Sequence, residues 1–263
     1  MKTAFKTLSI LSLLLALSVQ CGQVFGVNKY EWKERKSDHF IVYYHPDISK
    51  DYLLQFVRKC EKDYNNVLDN LGFSRSDFWL FEDRVKIVLF KNNEDFLNGT
   101  GAPDWTGGFA QYKGGHSTKR VIVTFYQKEW FLENILPHEL SHIMLYDFTG
   151  KANMPRWFDE GVAVSNEKEG RIMNLLLMRK MLENDPEFKV RVFENGEEDK
   201  FYAVSTALVA FLLEEYGQDR FVELCKKLKN KRPFGKAFRD VYGFNSFNEF
   251  FNTFLEYSRK EMG

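Results

Sequence analysis

The sequence predicts an α+β fold with two lobes, in which a strand-rich first half precedes a helical second half. Three segments rich in β-branched and aromatic residues predict strands, and all of them end by Tyr126. From Phe131 onward, apolar residues recur at helical spacing almost to the end of the chain. The chain has 263 residues and 44% hydrophobic content, which suits one large domain. We expect a single domain over 27–263, with a mixed β-sheet lobe that also carries helices at about 36–148 and a helical lobe at about 155–260.

Residues 1–26 have the features of a secretory signal peptide. A lysine-bearing start precedes the apolar run Leu8–Val19, which is too short to span a bilayer comfortably. The signal can end in two ways. Cys21 follows a stretch that resembles a bacterial lipoprotein signal, and cleavage after Gly26 is the alternative. We therefore expect an exported protein, whether periplasmic, outer-membrane or extracellular, that meets a membrane only through a lipid on Cys21.

The amino-acid composition limits the kinds of partner that we expect for this protein. Lysine plus arginine equals aspartate plus glutamate at 37 each, so the sequence gives no reason to expect a nucleic-acid partner. After the signal, no apolar segment is long enough for a transmembrane helix. Only Cys60 and Cys225 remain beyond residue 26, and both lie in helix-like stretches, which favours two free thiols over a disulfide scaffold.

The first half contains three predicted strands and one long predicted helix. The strands are His39–Pro46, Arg84–Phe90 and Arg120–Tyr126, and the helix covers Ser49–Leu71. Between the last two strands, residues 98–115 are dense in glycine, which predicts either a rim over a cleft or a long hairpin loop.

The second half of the chain is predicted to be helical almost throughout. The last helix opens with Ser246 and Glu249 at capping-box spacing, and its apolar stripe is rich in phenylalanine. The predicted helices are 131–147, 156–167, 170–184, 201–216, 219–230, 233–241 and 246–259.

The stretch ILPHELSHIML contains His138, Glu139 and His142 in the pattern H-E-x-x-H. Residues four apart on a helix share a face, so both imidazoles can reach one metal ion. Glu139 lies about 100° further round the helix, where its carboxylate can approach a water bound to that metal. The neighbouring residues are mostly apolar, which predicts a buried helix. Pro137 must lie in its first turn or kink it.

Zinc in a catalytic site takes a third protein ligand and leaves one position for water. No histidine follows His142 in the sequence, so the candidate is a carboxylate. Glu160, in MPRWFDEGVA, lies near the start of a helix opened by Pro155. The intervening chain is long enough for the first helix to end and a second helix to fold back on it.

These two motifs together resemble the gluzincin metallopeptidases, the clan MA group that includes thermolysin-like enzymes and aminopeptidase N. WFDEGVA is similar to the W-x-x-E-G-x-A pattern of the aminopeptidase-like branch, and the order of elements over about 36–257 resembles small bacterial peptidase-MA-like domains. The resemblance implies a zincin-like two-lobed fold. It also implies that His138, His142 and Glu160 bind Zn²⁺, and that Glu139 is the general base of peptide-bond hydrolysis.

Further roles follow from the resemblance or from position in the chain. Tyr202 resembles a tyrosine that donates to the oxyanion in the aminopeptidase-like branch, although an aromatic residue here is also typical of a core; Tyr146 and His116 are weaker rivals. The strand containing Val121 and Val123 could be a sheet edge that pairs with an extended substrate, or simply a core strand.

Two departures from the family pattern leave alternatives open. Val164 stands where thermolysin-like enzymes have an aspartate that orients a histidine, so Asp159 is proposed instead. No motif for a free substrate N-terminus precedes the active helix, so both endopeptidase and aminopeptidase action on a peptide or protein remain open. The competing interpretations are a non-catalytic zinc-binding protein of the cell envelope that acts as a binding module, and a structural lipoprotein with an accidental H-E-x-x-H.

Overall fold

The computed structural model describes most of the chain after its first 31 residues. The signal peptide, Cys21 and His116 therefore lie outside the described residues. The described ranges are 32–73, 79–80, 83–104, 106–113, 119–126, 131–150, 152–190 and 197–262. The chain divides into two compact units, one ending at Glu139 and the other beginning at Leu140, with residues 66–74 belonging to the second.

A five-stranded mixed sheet occupies the first unit, where the sequence predicted a mixed sheet and three of these five strands. Its order is β1-β2-β3-β5-β4, with β2, β3 and β5 parallel and with β1 and β4 running antiparallel to their neighbours. The strands are β1 (Lys33–Lys36), β2 (Phe40–Tyr44), β3 (Val85–Phe90), β4 (Gly108–Lys113) and β5 (Lys119–Phe125).

The order of the strands shows that β5 is not an edge strand. Val121 is paired with Lys86 of β3 on one side and with Gln111 of β4 on the other, and Val123 is fully buried. A strand with two neighbours has its backbone donors and acceptors committed to both ladders, so it cannot accept a further strand. The prediction that Val121 and Val123 form a substrate-binding edge is wrong. The strand at this side of the described sheet is β4, which lies in the glycine-dense segment predicted to be a loop.

Besides β4, two short elements were absent from the sequence prediction. Strand β1 is a fully exposed run of charged residues, so it carries no alternating pattern. Helix α2 (Asn93–Thr100) buries only Phe96 and contains a glycine. It is started by Asn92, whose side chain accepts a hydrogen bond from the amide of Asp95, and it packs Phe96 into an aromatic and aliphatic cluster with β3 and β5.

The remaining helices match the predicted pattern closely. Two predicted helices form one element, α6, interrupted at Gly217, whose φ of 79° and ψ of 163° are not helical. Glycine suits this position because a positive φ strains other residues. The helices are α1 (Lys50–Asn70), α3 (Leu136–Thr149), α4 (Arg156–Ser165), α5 (Lys168–Asn184), α6 (Glu198–Lys229), α7 (Phe234–Tyr242) and α8 (Phe247–Met262).

The second unit is organised around α6, against which α4, α5 and α7 pack. Aromatic rings fill the space around Trp157 of α4, where phenylalanines from α7 and α8 meet edge to face or tilted. This aromatic cluster includes Phe234, Phe238 and Phe250. Because Trp157 belongs to the same helix as Glu160, the cluster fixes the helix that carries the candidate ligand.

Cys60 and Cys225 are free and buried, as expected. Burial raises the pKa of both thiols, which keeps them protonated. Among the described residues, no helix combines the length and apolar character needed to cross a membrane.

Candidate metal centre

The H-E-x-x-H segment forms the first two turns of α3. A π-helical turn over Phe131–Ile135 leads directly into this helix, and Pro137 is its second residue. A proline in the first helical turn loses no hydrogen bond that the helix would otherwise make there. Pro137 therefore lies in the first turn of α3, directly after the π-helical turn, which agrees with one of the two predicted positions.

Apolar residues surround the polar ones on α3, and the segment is buried as predicted. Leu136, Leu140 and Met144 are fully buried, while His138 and Glu139 are only 2% and 3% exposed. Polar groups at such burial are stable only when hydrogen-bonded, paired or bound to a metal. The positions of the His138 and Glu139 side chains therefore depend on the polar groups that they contact in the site.

The structure brings the three predicted ligands together. One ligand atom from each of His138, His142 and Glu160 lies within 4.8 Å of the other two. The Nε2 atom of His142 is 3.7 Å from an oxygen of Glu160, which is 7% exposed on α4. Two imidazole nitrogens and one carboxylate oxygen form a donor set used by catalytic zinc sites, so these residues fit the ion that the sequence implies.

Asp159 holds one of the two histidines in a defined orientation. Its carboxylate oxygen lies 2.9 Å from Nδ1 of His142. Because a carboxylate accepts hydrogen bonds, Nδ1 carries the proton and Nε2 presents its lone pair to the ligand cluster. Asp159 therefore lies where it can orient His142, as suggested from the sequence, whereas Val164 is buried among apolar residues of α4.

Replacing Asp159 with asparagine is expected to lower the affinity for Zn²⁺ by about 10- to 100-fold. The amide keeps the size of the side chain but removes the charge that holds the His142 tautomer. Competition with a chromophoric chelator measures the affinity. The control is Asp240→Asn, which changes an exposed acid on α7 that pairs with Arg232. Equal zinc affinity in both variants would show that Asp159 has no part in orienting the ligand.

The backbone of β4 contacts the carboxylate of Glu139. Its Oε2 atom accepts a hydrogen bond of 3.1 Å from the amide of Ala110. Because β4 has only β5 as a neighbour in the described sheet, its outward amides are available to a side chain. The contact fixes the orientation of the Glu139 carboxylate, which lies on the same helix as both histidines, as a general base requires. Nothing in the sequence of the glycine-dense segment indicated Ala110 as its partner.

Tyr202 lies in the first part of α6 and is 6% exposed. Burial and the negative charge of Glu160 raise its pKa, and Arg156 opposes the shift only in part. The hydroxyl therefore stays protonated at neutral pH and can donate a hydrogen bond. It makes no hydrogen bond of ordinary geometry with the part of the chain that the structure describes. Tyr146, the rival candidate on α3, is partly exposed.

Arg156 and Gly161 are neighbours of the centre that the sequence prediction missed. Arg156 is four residues before Glu160, and its Nε atom lies 3.9 Å from Oε1 of that residue. Gly161 faces the backbone of α6 so closely that no side chain fits. The signals for both were present, namely an i,i+4 spacing to a candidate ligand and a glycine inside a helix.

The chain was compared with the sequence profiles of known protein families. The sequence profile of the peptidase MA superfamily matches residues 81–256, which is more than half of the chain and includes the whole ligand cluster and Tyr202. No curated protein matches the chain by sequence.

Proposed function

Because the chain belongs to the peptidase MA superfamily, we propose that it is a zinc-dependent peptidase of the gluzincin type. The observation that carries the proposal is the convergence of His138, His142 and Glu160, with Glu139 on the same helix and outside the ligand set. This arrangement separates the groups that can bind a metal from the carboxylate that can move a proton.

Each side chain has a distinct part in the proposed reaction. His138, His142 and Glu160 would hold Zn²⁺, which supplies a Lewis acid for the carbonyl and lowers the pKa of a water molecule. Asp159 keeps Nε2 of His142 available for the ion. Glu139 takes a proton from the attacking water and transfers it to the leaving amine.

Tyr202 is proposed to donate a hydrogen bond to the oxygen that becomes negative during the attack. Its raised pKa keeps the proton on the hydroxyl, and burial strengthens such a bond by excluding water. A neutral phenol serves this role better than an ionised one, because only the neutral form is a donor.

The compartment in which the protein acts is also a proposal. The expected signal over residues 1–26 directs the protein out of the cytoplasm, with either a lipid on Cys21 or cleavage after Gly26. The substrate is a peptide or protein met in that compartment.

Metal analysis combined with digestion of a random peptide library tests the function. We expect the purified mature protein to contain stoichiometric zinc and to cleave the library. We also expect a chelator to abolish cleavage and added Zn²⁺ to restore it. Zinc without cleavage would instead support the non-catalytic binding module. A metal-free protein that keeps its fold would mean that the H-E-x-x-H is accidental.

A further inference from the structure

Arg156 places a positive charge beside the candidate metal centre. It is the first residue of α4, four residues before Glu160 and on the same side of the helix, with a distance of 3.9 Å from its Nε atom to the Glu160 carboxylate. The Arg156 side chain is 54% exposed, whereas that of Glu160 is 9% exposed. The guanidinium therefore stands at the solvent side of the ligand cluster.

Aromatic rings hold the guanidinium in this position. Its central carbon lies 4.3 Å from the ring centre of Phe201 and 5.9 Å from that of Tyr202. Stacking on an aromatic face is favourable for arginine and leaves the N–H groups at its edge available. Arg156 thus differs from a freely moving surface arginine, because its planar group is oriented before any ligand arrives.

The charge of Arg156 is less closely paired than the charges of two other arginines of the same unit, Arg179 and Arg232. Arg179 lies 2.9 Å from Glu183, and Arg232 lies 2.7 Å from Asp240. Among the described residues, the only acidic partner of Arg156 is Glu160, at a distance beyond hydrogen bonding. A metal ion bound to Glu160 would take up the charge of that carboxylate and leave the guanidinium free to attract another anion.

We propose that Arg156 binds a carboxylate of the substrate near the bond that is cleaved. This inference rests on the proposed function, since it takes the ligand to be a peptide. The carboxylate belongs either to an acidic side chain or to the free C-terminus of a short peptide. Both present the two-oxygen geometry that a guanidinium recognises. Arg156 is then a specificity-determining residue that acts on substrate affinity.

Cleavage of the random library by wild type, Arg156→Gln, Arg156→Lys and Arg179→Gln tests the inference. In wild type, we expect cleaved bonds to be enriched about 10-fold for one flanking acidic residue or for a nearby free C-terminus. Arg156→Gln should lose that enrichment but still cleave neutral peptides. Arg156→Lys should keep part of it, and the control Arg179→Gln should keep all of it.

A binding measurement separates this inference from the proposed function. Calorimetry with Glu139→Gln protein compares two pairs of acetylated alanine peptides. The first pair is amidated and has a central aspartate or asparagine; the second pair has no ionisable side chain and has a free or an amidated C-terminus. We expect the carboxylate member of one pair to bind about 10-fold more tightly, and we expect the added Arg156→Gln change to remove the difference. Which pair responds identifies the source of the carboxylate.

The two assays together distinguish a failure of the proposed function from a failure of the carboxylate site. An Arg156-dependent binding difference without any hydrolysis by wild type would overturn the proposed function and retain the carboxylate site. Hydrolysis with no preference in either assay, or a preference that persists in Arg156→Gln, would overturn the carboxylate site. A loss of zinc and of all cleavage in Arg156→Gln, together with an unchanged binding difference, would assign Arg156 a structural role only.

Discussion

Glu139→Gln is expected to abolish peptide hydrolysis while leaving the zinc content unchanged. The substitution preserves the shape of the side chain, and its amide oxygen can still accept the hydrogen bond from Ala110. The amide cannot take a proton from water, so the rate should fall by the contribution of a general base, about 10²- to 10⁴-fold in kcat. Zinc should remain because Glu139 is not one of the three clustered ligand residues.

Measurement of kcat and bound metal on the same preparation checks this result. Glu183→Gln is a suitable control, since it removes an exposed carboxylate on α5 that pairs with Arg179. If Glu139→Gln retains full turnover, another group moves the proton. If it loses zinc together with activity, Glu139 contributes to metal binding, and the separation of roles proposed here is wrong.

The sequence predicted the helices of the site well, because their patterns are local. The apolar residues around His138 predicted burial, and Pro155 marked the start of α4. Because no histidine follows His142, a carboxylate such as that of Glu160 was the candidate third ligand. The structure brings that residue near both histidines. Spacing along two consecutive helices was enough to propose the metal-binding group.

The sheet and the surroundings of Glu139 were harder to predict, because they depend on contacts between distant segments. The order β3-β5-β4 places the last strand of the sequence between two earlier ones, and no local pattern specifies that order. Strand β4 lies in a glycine-dense segment without regular alternation, so neither the strand nor the hydrogen bond from Ala110 was predicted.

Gly161→Ala is expected to destabilise the protein by about 1–3 kcal/mol or more and to weaken zinc binding. A β-carbon at this position would lie 2.4 Å from the backbone oxygen of Ser205 and 2.7 Å from a methyl group of Val209. The first obstacle is the backbone of α6, which cannot turn aside as a side chain can. Helix α4 would therefore have to move away from α6 and take Glu160 with it.

Gly235→Ala is the matched control, because it makes the same change inside helix α7 where the nearest atoms would be 3.8 Å away. There the higher helix propensity of alanine should be neutral or stabilise the protein by up to about 1 kcal/mol. Denaturant unfolding gives the two free-energy changes, and chelator competition gives the two zinc affinities. An unfolding free energy for Gly161→Ala equal to that of wild type would mean that the helices approach less closely than the structure shows.

The close approach at Gly161 also bears on the proposed catalysis, since Ser205 lies within one turn of Tyr202 on α6. The distance between α4 and α6 at this point therefore sets the separation of Glu160 from Tyr202, whose pKa responds to the Glu160 charge. An alanine that separates the helices should reduce that electrostatic effect and move the proposed hydrogen-bond donor away from the ligand cluster. Gly161, the glycine after the candidate ligand Glu160, thus acts as a packing contact on which both the proposed metal ligand and the proposed oxyanion donor depend.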